Sequence, residues 1–471
     1  MEAGEHIART LAAAWLASEW TRARLLAEAQ RILGPATRLP QRLLVRELLA
    51  ANPAPYPPSP DWIVSFLRGT YWFQQAAARA VRNHEPVPAV LQPPEFAPSE
   101  HFAGLPIPKI ATPGGLAKWL GLPVEQLEWF ADARHLNSKT ASPTLQHYSY
   151  RFVPKRHGPP RHVEEPKPRL KEIQRRILHE ILDCVPIHPC VHGFVRKRSI
   201  LTAAQVHTSE DAVAVFDLRD FFLRTEIGRV HSVFRSLGYP SAVAFFLTGL
   251  CLNRTPHWVF EAIPKDSTLS SSLEGDSARK HYDRETRARF EALHLPQGAP
   301  ASPALANLAA WRLDRRLQGL ARSLGANYTR YADDLAFSGD RAFATKLGTL
   351  RRGVDEIVSD EGFALNLRKT RIMRRGDCQR LLGIVVNDHV NVPRKAYDEL
   401  KAILHNCRRS GPEAANRAGL PHFREHLEGS IAWAESVNPA RGAKLRRAFQ
   451  AIAWPAKQTP SAPAHGEPDL I

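Results

Sequence analysis

The stretch NYTRYADDLAFSGD, residues 327–340, sets two short β-prone runs on either side of two adjacent carboxylates, Asp333 and Asp334. Tyr, Thr and Tyr precede the pair and Leu, Ala and Phe follow it, which predicts two strands and a tight turn with the aspartates at the hairpin tip. A second run, AVAVFDLRDFF (212–222), opens with apolar and β-branched residues and predicts a buried strand ending at Asp217. A carboxylate at the end of a buried strand is costly unless it is paired or metal-bound. A lone Asp-Asp pair would read as a solvated turn, and the second strand-end aspartate weakens that reading. Three carboxylates from two strand segments can hold two Mg²⁺ ions, since hard divalent cations favour oxygen ligands. Two such ions can activate an attacking hydroxyl and stabilise a leaving pyrophosphate.

The chain as a whole carries the opposite charge. Of 471 residues, 64 are Lys or Arg and 47 are Asp or Glu, giving a formal net charge of +17. Residues 1–110 hold eleven basic and nine acidic side chains, so the excess lies in the later three quarters. This balance favours an acidic partner, nucleic acid first and an anionic membrane surface second. No uninterrupted apolar run reaches transmembrane length, and the N-terminus does not read as a signal peptide. Five scattered cysteines suggest no disulfide framework, so a cytoplasmic protein is expected. Cys184, His188, Cys190 and His192 are spaced too irregularly for a structural zinc site.

Periodicity predicts helices over 5–33, 40–50 and 61–82, a small helical N-terminal module spanning 1–84. Its aromatic residues read as core. A Pro-rich linker follows at 85–113, and two short helices parted by Pro123 open a globular region at 114. Strands and helices mix from 145 to 390, helical periodicity returns over 393–454, and 455–471 reads as a disordered tail. The fold class expected is α+β.

Six ordered segments resemble the reverse transcriptase family, its bacterial retron branch in particular, over roughly 114–454. VEEPKPRLKEIQRRILHEIL (163–182) is similar to the fingers segment. HGFVRKRSILTAAQVH (192–207) resembles the retron HGF…RSI…A-x-x-H stretch. LPQGAPASPALANL (295–308), YADD, LNLRKTRIM (365–373) and LLGIVVNDHVNVPRK (381–395) look like successive palm and palm-to-thumb segments. The resemblance implies a right-hand polymerase fold: fingers and an antiparallel palm sheet over 114–392, and a helical thumb over 393–454. It implies that Asp217, Asp333 and Asp334, with the main-chain carbonyl of Leu218, hold two Mg²⁺ ions, Mn²⁺ being an alternative. Phe222 falls at the position of the steric gate against a ribose 2′-OH, with Phe221 the nearby alternative. Gln297 and Gly298 would lie beside the incoming dNTP. Lys155 and Arg161 would clamp its triphosphate, with Arg156 adjacent. Lys369 would protonate the leaving pyrophosphate.

The resemblance further implies a structured noncoding RNA of the msr-msd type as template and primer. Synthesis would begin at a guanosine 2′-OH and yield branched RNA-linked DNA (msDNA). The role implied is antiphage defence with an effector or toxin protein as a further partner; an oligomer is left open. His207 would contact the RNA. Basic thumb residues, Arg394, Lys395, Lys401, Arg408, Arg409, Arg441, Lys444, Arg446 and Arg447, would grip nucleic acid or form a solvated charged face. Two departures stand out: Ala203 replaces the family Asn, and Leu381-Leu382-Gly383 replaces Val-Thr-Gly. A charged insert, about 254–294 with a helix near 276–293, is either an added contact or a tolerated surface insertion. The alternatives are another bacterial reverse transcriptase or a template-independent abortive-infection polymerase.

Overall fold

Hydroxyl side chains break the N-terminal periodicity in the structure, a computed structural model that describes residues 2–18, 20–33, 38–53, 57–58, 60–82, 94–137, 139–140, 142, 144–154, 160–261 and 284–454. The helix expected over 5–33 is two, Glu2–Ala17 and Arg22–Leu33, and that over 61–82 is Pro60–Gly69 and Tyr71–Arg82. The Ser18 hydroxyl donates to the Trp15 carbonyl (3.0 Å) and the Thr70 hydroxyl to that of Phe66 (2.7 Å), so each side chain caps the turn that it ends. With Arg38–Ala51, these helices close on a core of Leu11, Trp15, Leu25, Leu44, Leu48, Ile63 and Phe73. The Trp15 indole, fully buried, donates to the Leu25 carbonyl at 2.8 Å.

The chain divides into two units. The first comprises Met1–Val195, Leu218–Leu317 and Gly353–Asn366. There the described part of the Pro-rich stretch is pinned by backbone bonds from Ala97 to Gly238 (2.9 Å) and from Ser99 to Ser236 (3.0 Å). Gly238 has φ 105°, and a Cβ on it would meet the Pro98 nitrogen at 2.5 Å, so only glycine fits that crossing. Helices Pro113–Leu120 and Val124–Phe130 flank Pro123. Strands β1 (Tyr148–Val153) and β2 (Arg161–Pro166) form an antiparallel pair.

Strand β2 buries its polar face. His162, Glu164 and Pro166 are buried, while Val163 and Glu165 are half-exposed. Glu164 accepts from the Asn253 amide (2.9 Å) and the Thr255 hydroxyl (2.6 Å), and faces His294 Nε2 at 2.7 Å. Burial alone would raise the Glu164 carboxyl; the His294 charge and hydrogen bond, with His162 and Thr255, outweigh it and bring it down to about 2. Burial likewise opposes the charged form of His294, and Glu164 overcomes it, so its value lies above the ordinary 6.5.

The second unit comprises Arg196–Asp217, Gln318–Arg352 and Leu367–Ile471. Its sheet runs β4 (Asn327–Tyr331), β5 (Asp334–Gly339), β3 (Ala212–Asp217), β6 (Arg371–Arg374), antiparallel throughout. All six residues of β3 are buried. Val213, Val215, Ala336 and Met373 share one core with Leu404, Cys407, Leu427, Ile431, Leu445 and Phe449 of helices Arg394–Ser410, Phe423–Val437 and Pro439–Gln450. On the opposite face Phe216 meets Phe337 edge-on and Tyr328 stacks on Phe337. Ala203 is fully buried in helix Ile200–Gln205, and Leu382 (φ 52°) and Gly383 (φ 84°) form a two-residue turn between Leu381 and Ile384. Among the described residues no helix is long and apolar enough to cross a membrane.

The Glu164–His294 pair predicts a stability optimum. Glu164's contribution is complete above its ordinary 4.5 and is lost as pH falls toward 2. His294's is complete below 6.5 and is lost as pH rises through its raised value. Thermal melting should show Glu164→Gln lowering the midpoint most near pH ~5.5 and least near pH ~3. A midpoint loss independent of pH would deny that the pair is ionised.

Candidate active site

The strand register builds the acidic centre. Asp217 lies directly opposite Asp334 in the β3–β5 ladder, and Tyr331 opposite Asp334 in the β4–β5 hairpin. Side chains alternate along a strand, so Asp217 projects from the face of Val213 and Val215, and Asp334 from the face of Ala336. Ala332 and Asp333 make the connecting turn, with Ala332 in the left-handed region at φ 55°. Arg330, fully buried beneath it, donates to the Ala332 carbonyl at 3.1 Å. Sequence reasoning passed over Arg330, and an arginine inside a β-prone run was the available signal.

Asp217 is 3 % exposed, and Lys369 Nζ sits 2.7 Å from its Oδ2. Burial first, then Asp333 and Asp217, push the Asp334 carboxyl up to about 7, against the pull of Lys369 and Arg371. Lys369 lies above its ordinary value: burial opposes its charge, but the Asp217 hydrogen bond and the three carboxylates outweigh it. A carboxylate cluster this short of positive charge, with an ammonium drawn onto it, fits divalent cations. Among the described residues no three His, Cys, Asp or Glu side chains enclose a cation by themselves. Mg²⁺ commonly takes one or two carboxylates and completes its shell with water and substrate phosphates.

The other candidate substrate residues belong to the first unit. Phe221 is buried and packs on Phe363, whereas Phe222 is half-exposed beside Phe194, so Phe222 is the ring that a ligand can reach. The Gln297 carbonyl accepts from the Glu164 amide at 2.7 Å. Gly298 has φ 126°, and a Cβ there would stand 2.9 Å from the Glu164 carbonyl. Arg161 is exposed at the start of β2, and Leu218 bridges Leu365. Lys155 and Arg156 lie outside the described residues, as do 455–471 and most of the insert.

Residues 153–386 match the reverse transcriptase (RNA-dependent DNA polymerase) family. The chain is 36% identical to the retron Mx162 reverse transcriptase of Myxococcus xanthus, over 75% of this chain and 68% of that protein. It is 38% identical to the retron Mx65 reverse transcriptase of the same organism, over 67% of each. The chain belongs to the retron reverse transcriptases. The retron Ec86 reverse transcriptase of Escherichia coli is 30% identical over 68% of this chain and 87% of that one. A solved foamy viral protease-reverse transcriptase in complex with RNA/DNA hybrid covers 65% of this chain and 34% of that one, at 16% identity and a TM-score of 0.29, too loose a likeness to argue from. This reverse transcriptase is therefore an RNA-directed DNA polymerase of α+β right-hand fold, with an RNA template and a DNA product as partners and the family's dependence on divalent metal.

Two nucleic-acid expectations change. His207 is fully buried, not an RNA contact: its ring nitrogens lie 2.7 Å from the Ser338 and Thr329 hydroxyls. It fastens the segment after helix Ile200–Gln205 to β4 and β5. Arg446 makes a two-point ion pair with Glu435 (2.7 and 3.0 Å), which binds helix Pro439–Gln450 to Phe423–Val437. Arg447, Arg394 and Lys395 are exposed, the last two beside Asp398 and Glu399. Arg394, Tyr397, Lys401, Arg441 and Lys444 line a groove of about 530 Å³, with the Arg441 guanidinium 5.1 Å from the Tyr397 ring centre.

His207→Ala strands two hydroxyls and should cost about 2–4 kcal/mol in unfolding free energy, leaving RNA affinity of the folded protein unchanged. Lost affinity at unchanged stability would restore it as a contact. Charge reversal at Arg441 and Lys444 should lower the salt slope of RNA binding by about 2, whereas Arg446→Glu should chiefly lower the melting temperature. Equal salt slopes in wild type and the double variant would remove the groove from the interface.

Proposed function

We propose that the protein copies a structured noncoding RNA of the msr-msd type into branched RNA-linked DNA, primed from a guanosine 2′-OH, in antiphage defence with an effector protein. The observation that carries the chemistry is Asp217 facing Asp334 across β3 and β5, with Asp333 in the adjoining turn. Divalent cations bound there, two Mg²⁺ in this reading, would activate the primer hydroxyl and neutralise the leaving pyrophosphate. The primer oxygen attacks the α-phosphorus of a dNTP, the bond to the bridging oxygen breaks, and pyrophosphate leaves.

The chain's own groups divide the remaining work. Asp217, Asp333, Asp334 and the Leu218 carbonyl would supply oxygen ligands, and the β3–β5 pairing fixes the spacing of Asp217 and Asp334 before substrate arrives. Lys369, held charged by the carboxylates, is the proton donor to pyrophosphate. On the family motifs, Lys155 and Arg161 are assigned to the triphosphate, Gln297 and Gly298 to the nucleotide, and Phe222 to exclusion of a ribose 2′-OH. The thumb, 393–454, would hold the RNA–DNA duplex through its basic groove, and the helical module, 1–84, would meet the effector, a second copy of the chain or the RNA.

Asp333→Asn with Asp334→Asn should reduce primer extension to background with the fold intact by circular dichroism. Surviving extension would overturn the metal assignment. Sequencing of the nucleic acid that copurifies should yield one DNA species joined 2′–5′ to RNA. DNA of random sequence would instead support a template-independent polymerase.

A further inference from the structure

The insert returns to the body as helix Arg284–Glu291, and its feet pair through mutual 3.0 Å backbone bonds between Asn253 and His294. From that helix Glu285 reaches Arg224 at 2.7 Å and Arg219 at 3.7 Å, and it is steadied by Arg289 at 3.1 Å. The Arg224 side chain is only 9 % exposed. Phe290 of the same helix packs with Leu223, Phe260 and Phe152. Residues 219–224, which carry Phe222, are therefore held on both flanks by the insert. The segment is also tied by the Arg219 amide to the Ala364 carbonyl (2.8 Å), by Phe221 against Phe363, and by its own turns, Arg224 to Asp220 (2.9 Å) and Thr225 to Phe222 (3.2 Å). The second foot acts on the other nucleotide segment. His294 grips Glu164, whose backbone amide holds the Gln297 carbonyl.

We propose that helix Arg284–Glu291 is a positioning strut for nucleotide selection, with Glu285 as a positioning residue that sets the Phe222 ring through Arg224 and Arg219. The inference rests on the reading of Phe222 as the ribose gate. An insertion that contributed only surface would not put an ion pair on an almost buried arginine, where an unpaired charge is costly. Nor would its helix supply Phe290 to the same cluster as Leu223, next to the gate. Small displacements of a selecting side chain are enough to change rates by large factors, so the strut acts on specificity without touching substrate.

The test is steady-state incorporation of dNTPs and rNTPs on a primed RNA template by the full chain. Glu285→Gln should raise the KM for dNTP roughly three- to tenfold with kcat nearly unchanged, and lower the dNTP-over-rNTP preference by a similar factor. Glu285→Asp should restore part of both. Glu285→Met with Arg224→Met removes the pair without leaving the Arg224 charge buried alone, keeps the fold testable, and should show the same loss of preference. Unchanged KM and preference in these variants, or a fall in kcat for both substrates alike with lowered melting, would overturn the strut. Phe222→Val separates the two ideas. If it leaves the preference intact the gate reading fails, and the dNTP KM of Glu285→Gln then decides the strut alone.

Discussion

Asp217 and Asp334 stand directly opposite each other in an antiparallel ladder, an arrangement that like charges destabilise. The rest of the second unit makes it tolerable. Lys369 neutralises one side, buried Arg330 ties down the turn carbonyl, and the strands are clamped on both faces. One face carries Val213, Val215 and Ala336 into the core shared with helices Arg394–Ser410, Phe423–Val437 and Pro439–Gln450; the other seats Phe216 against Phe337 and Tyr328. A slip of one residue would send each aspartate to the wrong face and expose the valines. The hydrophobic contacts of helices Arg394–Ser410, Phe423–Val437 and Pro439–Gln450 therefore help fix the register that brings the carboxylates together.

Two of the buried charge clusters among the described residues serve opposite purposes. At the acidic centre burial, then the neighbouring Asp333 and Asp217, raise Asp334, and cations are favoured. In β2 the charge is fully paired: Glu164 spends both oxygens on Asn253, Thr255 and His294. A buried ion pair gains little net stability over an apolar replacement, but losing one partner is severe. Its value here is geometric. It sets one strand, the insert's second foot and, through the Glu164 amide, the Gln297 carbonyl in a single arrangement.

The YADD hairpin and the Asp217 strand were legible because their evidence is local. Period-two alternation, a two-residue turn and one uninterrupted buried run need no tertiary information. The segment order supplied the family. His207 was misread because a histidine at the end of a short helix does not reveal that its partners, Thr329 and Ser338, come from strands more than a hundred residues later. Strand β2 inverts the usual pattern: in RHVEEP the polar His162 and Glu164 face inward. No period-based reading recovers a strand whose buried face is polar. The N-terminal helix breaks at Ser18 and Thr70 likewise depend on side-chain capping within otherwise helical periodicity. Arg446 was indistinguishable in sequence from Arg441, and only the position of Glu435 separates an ion pair from a groove lining.

The insert shows how a polymerase can gain chain without losing its site. Because Asn253 and His294 are paired backbone to backbone, the loop between them closes on a preformed base, and closure entropy grows only slowly with its length. Length alone is therefore nearly neutral to the fold. The part of the insert next to the body is not: Thr255, Phe260, Glu285, Phe290 and His294 supply both polar and apolar partners to strand β2 and to residues 219–224, which are distant from it in sequence. The geometry of residues 219–224 is thereby tied to that of helix Arg284–Glu291, through Glu285 on Arg224 and Phe290 on Leu223.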